Sequence, residues 1–137
     1  MKKLFFIFTV SLMLISCNSV YDKAISLGVD IVNKECPMQL DEVTTLENVE
    51  YIKGVSVNYN NTINETWLSM SFIEENIDLF AESIVEDLTS GDSDLEEFIE
   101  ACKNRNVVII YNYRGSESGR TCSITYNPNT KTTSTGK

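Results

Sequence analysis

Val43-Thr-Thr-Leu-Glu-Asn-Val-Glu-Tyr51-Ile-Lys53-Gly54-Val-Ser-Val-Asn-Tyr59-Asn-Asn-Thr-Ile63 is the stretch that decides the fold class. Here helical spacing is lost, and Val55, Val57 and Tyr59 alternate with Ser56, Asn58 and Asn60. A period of two lays one side of a strand on a core and leaves the other to water. Val43 to Tyr51 is the partner strand, and Lys53-Gly54 is the turn, glycine being the residue that tolerates positive φ. A second hairpin follows from residues 107–114, rich in β-branched and aromatic side chains, and residues 121–126, where Cys122, Ile124 and Tyr126 share a face. Gly115 to Gly119 joins the two.

Helices flank and separate these hairpins. Tyr21, Ile25, Val29, Val32 and Cys36 form one apolar stripe, predicting a helix over about 20–35 with Asp22, Lys23, Asp30 and Lys34 largely outside it. Ser19 with Asp22 resembles a capping box, and Pro37 ends the helix. Ser71 with Glu74 forms a second capping box, and Ile73, Ile77, Phe80, Ile84 and Leu88 predict one helix over 72–88. Thr89-Ser90-Gly91 breaks it, and Ser93 with Glu96 opens a shorter helix whose stripe is Leu95, Phe98, Ile99 and Cys102. The fold class is therefore α+β: an antiparallel sheet of about four strands with helices on one face, in the order α-β-β-α-α-β-β. Residues 128–137 hold nothing to bury and are read as a flexible tail.

At 137 residues there is room for one domain. Eleven basic residues against 20 acidic ones disfavour a grip on nucleic acid, which needs clustered Lys and Arg. The absence of His removes the usual general base near neutral pH and the commonest nitrogen ligand of a catalytic metal.

The start of the chain identifies its compartment. Lys2 and Lys3 precede an uncharged run from Leu4 to Ile15, and twelve helical residues span only roughly 18 Å of the ~30 Å hydrocarbon core. This is an export signal rather than a spanning helix. Leu14-Ile15-Ser16-Cys17 resembles the lipobox of bacterial lipoproteins. The resemblance implies that residues 1–16 are removed, that Cys17 receives a diacylglyceryl thioether, and that its new amino group is acylated, as with palmitate. Residues 17–127 then form one domain held to a bilayer through acylated Cys17. The expected location is the cell envelope, with the outer membrane favoured if the source is Gram-negative, since Asn18 rather than the retention Asp follows the cysteine. Removal of Lys2 and Lys3 leaves a net charge of −11, which is expected to hold the body off anionic headgroups.

The exported part also resembles a set of small, uncharacterised bacterial envelope proteins. The pattern is Asn33, Pro37, Asp41-x-x-Thr44-x-Leu46-x-x-Val49, then Val57-Asn58-Tyr59, and further on Cys102, Val108, Tyr111-Asn112-Tyr113, Gly119 and Cys122. It implies an architecture and a compartment rather than a reaction, and a disulfide between Cys102 and Cys122. Three cysteines after lipidation fit one bridge and one free thiol in an oxidising compartment. For Cys36 the readings are a buried inert thiol, an intermolecular disulfide or a nucleophile, although no His exists to activate it.

No set of catalytic residues, metal ligands or cofactor contacts is read. Asp92-Ser93-Asp94-Leu95-Glu96 fails as a calcium loop, because its sixth and twelfth places hold Glu97 and Lys103, and helix capping accounts for it. Five tyrosines fall on strands, at 51, 59, 111, 113 and 126, where they either cap a core or form a recognition surface. Tyr59, Tyr111 and Tyr113 are the candidate partner surface, with a basic protein the partner that the acidic surplus favours. The functional expectation is a non-enzymatic, membrane-anchored binding or structural module. The second expectation is an anchored inhibitor or immunity protein that neutralises a basic enzyme such as a lysozyme-like hydrolase.

Overall fold

The computed structural model describes residues 18–137, so the export signal, Cys17 and its lipidation lie outside the described residues. The elements are α1 (Asn18–Asn33), β1 (Met38–Gln39), β2 (Thr44–Ile52), β3 (Ser56–Ile63), α2 (Met70–Glu75), α3 (Ile77–Leu88), α4 (Ser93–Arg105), β4 (Val108–Gly115), β5 (Thr121–Asn127) and β6 (Thr132–Gly136). No helix among them is long and apolar enough to cross a membrane.

Both expected hairpins form, and the α+β class stands, but the sheet has six strands in chain order and is mixed. β3 and β4 run parallel, with Val57 opposite Ile109 and Tyr59 opposite Tyr111. Three helices separate them, which is the long crossover that a parallel pair requires. Hairpin patterning fixes which residues face the core, yet it does not say which edges of two hairpins meet. The expected antiparallel four-strand sheet is corrected on this point.

The two extra strands are edges. β1 adds two residues against Leu46 and Thr45. β6 pairs Thr132–Gly136 antiparallel to β5, with Tyr126 opposite Thr133, so the expected flexible tail is a turn and a strand. Composition tracks what a segment can bury, whereas an edge strand needs only backbone partners.

The helices cover one face of the sheet. Residues that alternate toward them, among them Val57, Ile109, Ile124 and Tyr126, are buried. A register shift between Leu46 and Asn48 lets Leu46 and Val49, three apart, both point inward. One core cluster lies under α1 and α4, around Ile25, Val29, Val57, Phe98, Cys102 and Tyr126. The other lies under α2 and α3, around Ile63, Met70, Ile73, Ile77, Cys122 and Ile124.

Local signals were displaced in three places. The helix expected over 72–88 is two helices, capped by Ser69, whose hydroxyl accepts from Phe72 N–H at 3.2 Å, rather than by Ser71 and Glu74. Asn76 interrupts it: its Nδ2 donates to Phe72 O at 2.8 Å, and its backbone leaves the helical region at φ −114° and ψ 19°. Ser71 and Glu74 are taken up instead by Arg120, which donates to both. α4 is capped by Asp92, one residue ahead of Ser93, through bonds from Asp94 N–H and Leu95 N–H.

The expected Cys102–Cys122 bridge is not formed. Cys36, Cys102 and Cys122 are all free thiols, and the implied pair is split between the two core clusters. Helical and strand periodicity turn each cysteine toward the core, which does not make them neighbours.

Candidate functional site

The two core clusters leave a stretch of sheet between them that no helix covers fully. Parallel register sets Tyr59 beside Tyr111 on the helix-facing side, and their rings stack with centroids 5.1 Å apart and planes at 13°. Tyr113, two residues along β4, extends this floor. The result is a groove of about 750 Å³. One wall is the loop that enters β2, with Leu40 and Val43; the other is α3, with Phe80 and Ile84. Leu68 and Ile73 close one end.

Charge at the groove has one sign. Asp41 and Glu42 on the loop and Asp87 on α3 rim it, and no Lys or Arg lines it. The loop is held rigidly: Asp41 Oδ1 accepts from the N–H groups of Val43 and Thr44 at 2.8 and 2.7 Å. Asn61, buried beside the floor, donates to the carbonyls of Tyr59 and Asn112 at 3.1 and 3.3 Å and so ties β3 to β4.

Burial disfavours a charged phenolate, so the tyrosine hydroxyls hold their protons. It pushes Tyr113 up to about 12 and also moves Tyr59 and Tyr111 well above their ordinary value. Among the described residues none of the three hydroxyls makes a hydrogen bond. The groove therefore offers apolar and aromatic area, neutral hydroxyl donors and an acidic rim.

All three tyrosines picked from sequence thus line one surface. The other two serve elsewhere: Tyr126 is core, and Tyr51 donates to Asp22. Sequence reasoning missed the walls. Phe80 and Ile84 read as core-facing positions of an amphipathic helix, and nothing in that spacing shows that the sheet opposite them is left open.

The remaining polar clusters are structural. Asp22, expected on the solvated side of α1, is 7% exposed. It accepts from Tyr51 Oη and from Arg105 Nε at 2.8 Å, with Lys53 Nζ at 3.9 Å, and joins α1 to β2 and α4. Burial alone would raise its pKa, but these donors and charges outweigh that and hold the carboxyl below its ordinary value. Glu65 accepts from Glu117 N–H at 2.8 Å and from Ser118 N–H at 2.6 Å, clasping the β4–β5 turn. On the outer face, Asn112 donates to Asn60 at 3.0 Å and Asn60 to Asn48 at 2.8 Å, a ladder across three strands.

The thiols are poorly suited to nucleophilic work. Burial pushes Cys102 up to about 12 and raises Cys122, and burial with Glu35 and Glu47 raises Cys36. Among the described residues no group of three or more Cys, Asp or Glu side chains is placed to hold a metal ion.

Fold and groove define a small mixed-sheet α+β domain with helices on one face and an aromatic-floored, acid-rimmed groove. No family model matches the sequence, and no curated protein matches it. Solved structures share the fold. A "putative secreted protein" from Pseudomonas aeruginosa superposes with a TM-score of 0.62 at 8% identity, over 88% of this chain and 91% of that one. The pilotin EpsS of the Vibrio vulnificus type 2 secretion system superposes with a TM-score of 0.55 at 10% identity, over 76% of this chain and 84% of the pilotin.

Proposed function

We propose that the protein is a non-enzymatic binding module of the bacterial envelope, held to its bilayer through acylated Cys17. Its groove takes an apolar segment of a protein partner that carries flanking basic residues. The observation that carries this reading is the groove itself: stacked Tyr59 and Tyr111 under apolar walls, with acidic residues alone at the rim. Aromatic area with few polar groups is the composition of interface centres, and a rim of one sign selects the opposite charge. The lipobox residues Leu14 to Cys17 support the anchor. A fold shared with a secretion pilotin and a "putative secreted protein" fits an envelope role. No feature of the groove singles out a hydrolase as the occupant.

The test is site-specific photocrosslinking in the producing cell, with the crosslinking residue at Phe80 in the groove wall or at Thr125 on the outer sheet face. A single adduct that forms from position 80, weakens with added salt and is absent from position 125 is the expected result. Equal labelling from both positions would sink the groove as the binding surface. Loss of the adduct in Cys17→Ala would show that the anchor is needed to meet the partner.

A further inference from the structure

Topology gathers the β2–β3 turn, the α4–β4 junction and the β5–β6 turn at one end of the sheet. Asn129 Nδ2 binds the last two to each other, donating to Lys103 O at 3.2 Å and Asn106 Oδ1 at 3.1 Å. α1 begins at this same end. Asp22, about one turn into α1, is bonded to Tyr51 at the close of β2 and to Arg105 at the close of α4. The opposite end holds the loop with Asp41 and Glu42, the β4–β5 turn and Trp67, which is 72% exposed.

The β2–β3 turn is built oddly for a turn in water. Its geometry needs only Gly54, at φ 72°, and the Tyr51 hydroxyl that accepts from Gly54 N–H at 3.0 Å. Yet Ile52 and Val55 on either side are 45% and 57% exposed, with the Lys53 side chain between them 75% exposed. Lys23, exposed early in α1, adds a second cation. Asp22, the carboxylate in that part of α1, is buried between Arg105 at 2.8 Å and Lys53 Nζ at 3.9 Å, so one carboxylate faces the three cations Lys23, Lys53 and Arg105 there. Lys103 and Lys131 are also at this end, but they share a recess with Glu96, Glu97 and Glu100, whose three carboxylates leave it one net negative charge and set it apart from the tip.

We propose that the β2–β3 turn is a membrane-contacting tip. Ile52 and Val55 enter the interface of the bilayer that holds the acyl chains of Cys17, and Lys53 and Lys23 lie against anionic phospholipid headgroups. The occupant follows from the chain: Cys17 is bonded directly to Asn18, so about 4 Å of backbone separates the lipidated residue from the first residue of α1. A long tether would let any face meet the membrane, whereas so short a link presents the end where α1 starts. Aliphatic side chains beside lysines are what the boundary between headgroups and acyl chains accepts. The charge of −11, expected to repel the body from such headgroups, is a sum over the whole domain and does not describe this tip. Contact here directs the loop with Asp41 and Glu42, and the groove it borders, away from the bilayer.

This inference rests on the lipid-anchor reading, and one experiment separates the two. The full-length lipidated protein is reconstituted into phosphatidylcholine and phosphatidylglycerol vesicles containing brominated lipid, and tryptophan emission is measured. Trp67 is the single tryptophan and reports the far end. Val55→Trp and, separately, Ile52→Trp, each with Trp67→Phe, report the tip at positions already exposed. The expected result is that tip tryptophans lose most of their emission while Trp67 keeps its own, and that Lys23→Glu with Lys53→Glu reduces the tip quenching. If the protein floats with the vesicles and the tip tryptophans are not quenched, the tip is wrong and the anchor stands. If Trp67 is quenched instead, the orientation is reversed. Failure to float, as expected for Cys17→Ala, would overturn the anchor and the tip together.

Discussion

The side chain of Asn33 pairs with the peptide group of Val49 as a neighbouring strand would. Its Nδ2 donates to Val49 O and its Oδ1 accepts from Val49 N–H, both at 2.7 Å. β1 covers only the Leu46 end of β2, so Asn33, the last residue of α1, satisfies the backbone beyond it. This gives the sparse pattern in the sequence a physical meaning: Asn33 seals the edge at Val49, and Asp41 fixes the turn that brings Thr44 into β2. Asn33→Ala should cost about 2 kcal/mol, because it leaves a donor and an acceptor unpaired in a half-buried position. The urea midpoint should fall with an unchanged slope; a shift within error would mean that water replaces the amide.

Asp22 makes stability depend on acid. Its folded pKa lies below the ordinary value of 3.8, so between the two the unfolded chain binds a proton that the folded chain does not. The contribution is fully present above 3.8 and is lost as pH falls through the folded value. Asp22→Asn should lower the melting temperature at pH 7 and flatten its decline below pH 4, as followed by circular dichroism. An acid limb of unchanged steepness would show that other carboxylates govern it.

Gly115 is required by close approach rather than by φ. A Cβ there would lie 2.4 Å from Glu65 Oε2 and 2.7 Å from Met70 Cγ. Gly115→Ala should therefore cost about 2 kcal/mol through overpacking, because the clasp between Glu65 and the β4–β5 turn must open. Glu65→Ala combined with Gly115→Ala should cost less than the two added, since the first removes what the second strikes. Additive losses in thermal melts would locate the strain at Met70 alone.

Periodicity makes the helix stripes, both hairpins and the inward faces legible in the sequence, because it reports which side of an element avoids water. It carries no information on the β3–β4 pairing, which sets Val108 opposite Ser56, 52 residues apart, after three helices have intervened. Nor could composition show that Thr132–Gly136 finds a strand to pair with. Asp22 reads as solvent-facing because it lies off the apolar stripe of α1, whereas its partners Tyr51 and Arg105 come from elements distant in sequence. The clustering of tyrosines on strands singles out Tyr59, Tyr111 and Tyr113, which line one groove. Its walls are not singled out, since Phe80 and Ile84 carry the same pattern whether a helix lies fully or only partly on a sheet.

If the groove is a binding surface, the hydroxyl and the ring of Tyr111 should separate by mutation. The ring stacks on Tyr59 and packs against both core clusters, but its hydroxyl makes no hydrogen bond among the described residues. Tyr111→Phe keeps the stack and should change stability by less than about 0.5 kcal/mol, while Tyr111→Ala removes it and should cost about 2 kcal/mol. The same burial governs the alkaline titration. Tyr113 should ionise near 12, and Tyr59 and Tyr111 should likewise ionise well above the ordinary tyrosine value, since burial favours the neutral phenol. Ultraviolet difference spectra of Tyr111→Phe against the parent would assign the missing late phenol. A phenol lost instead near pH 10 would mean that water fills the groove and that its floor is not the dry aromatic surface a partner segment needs.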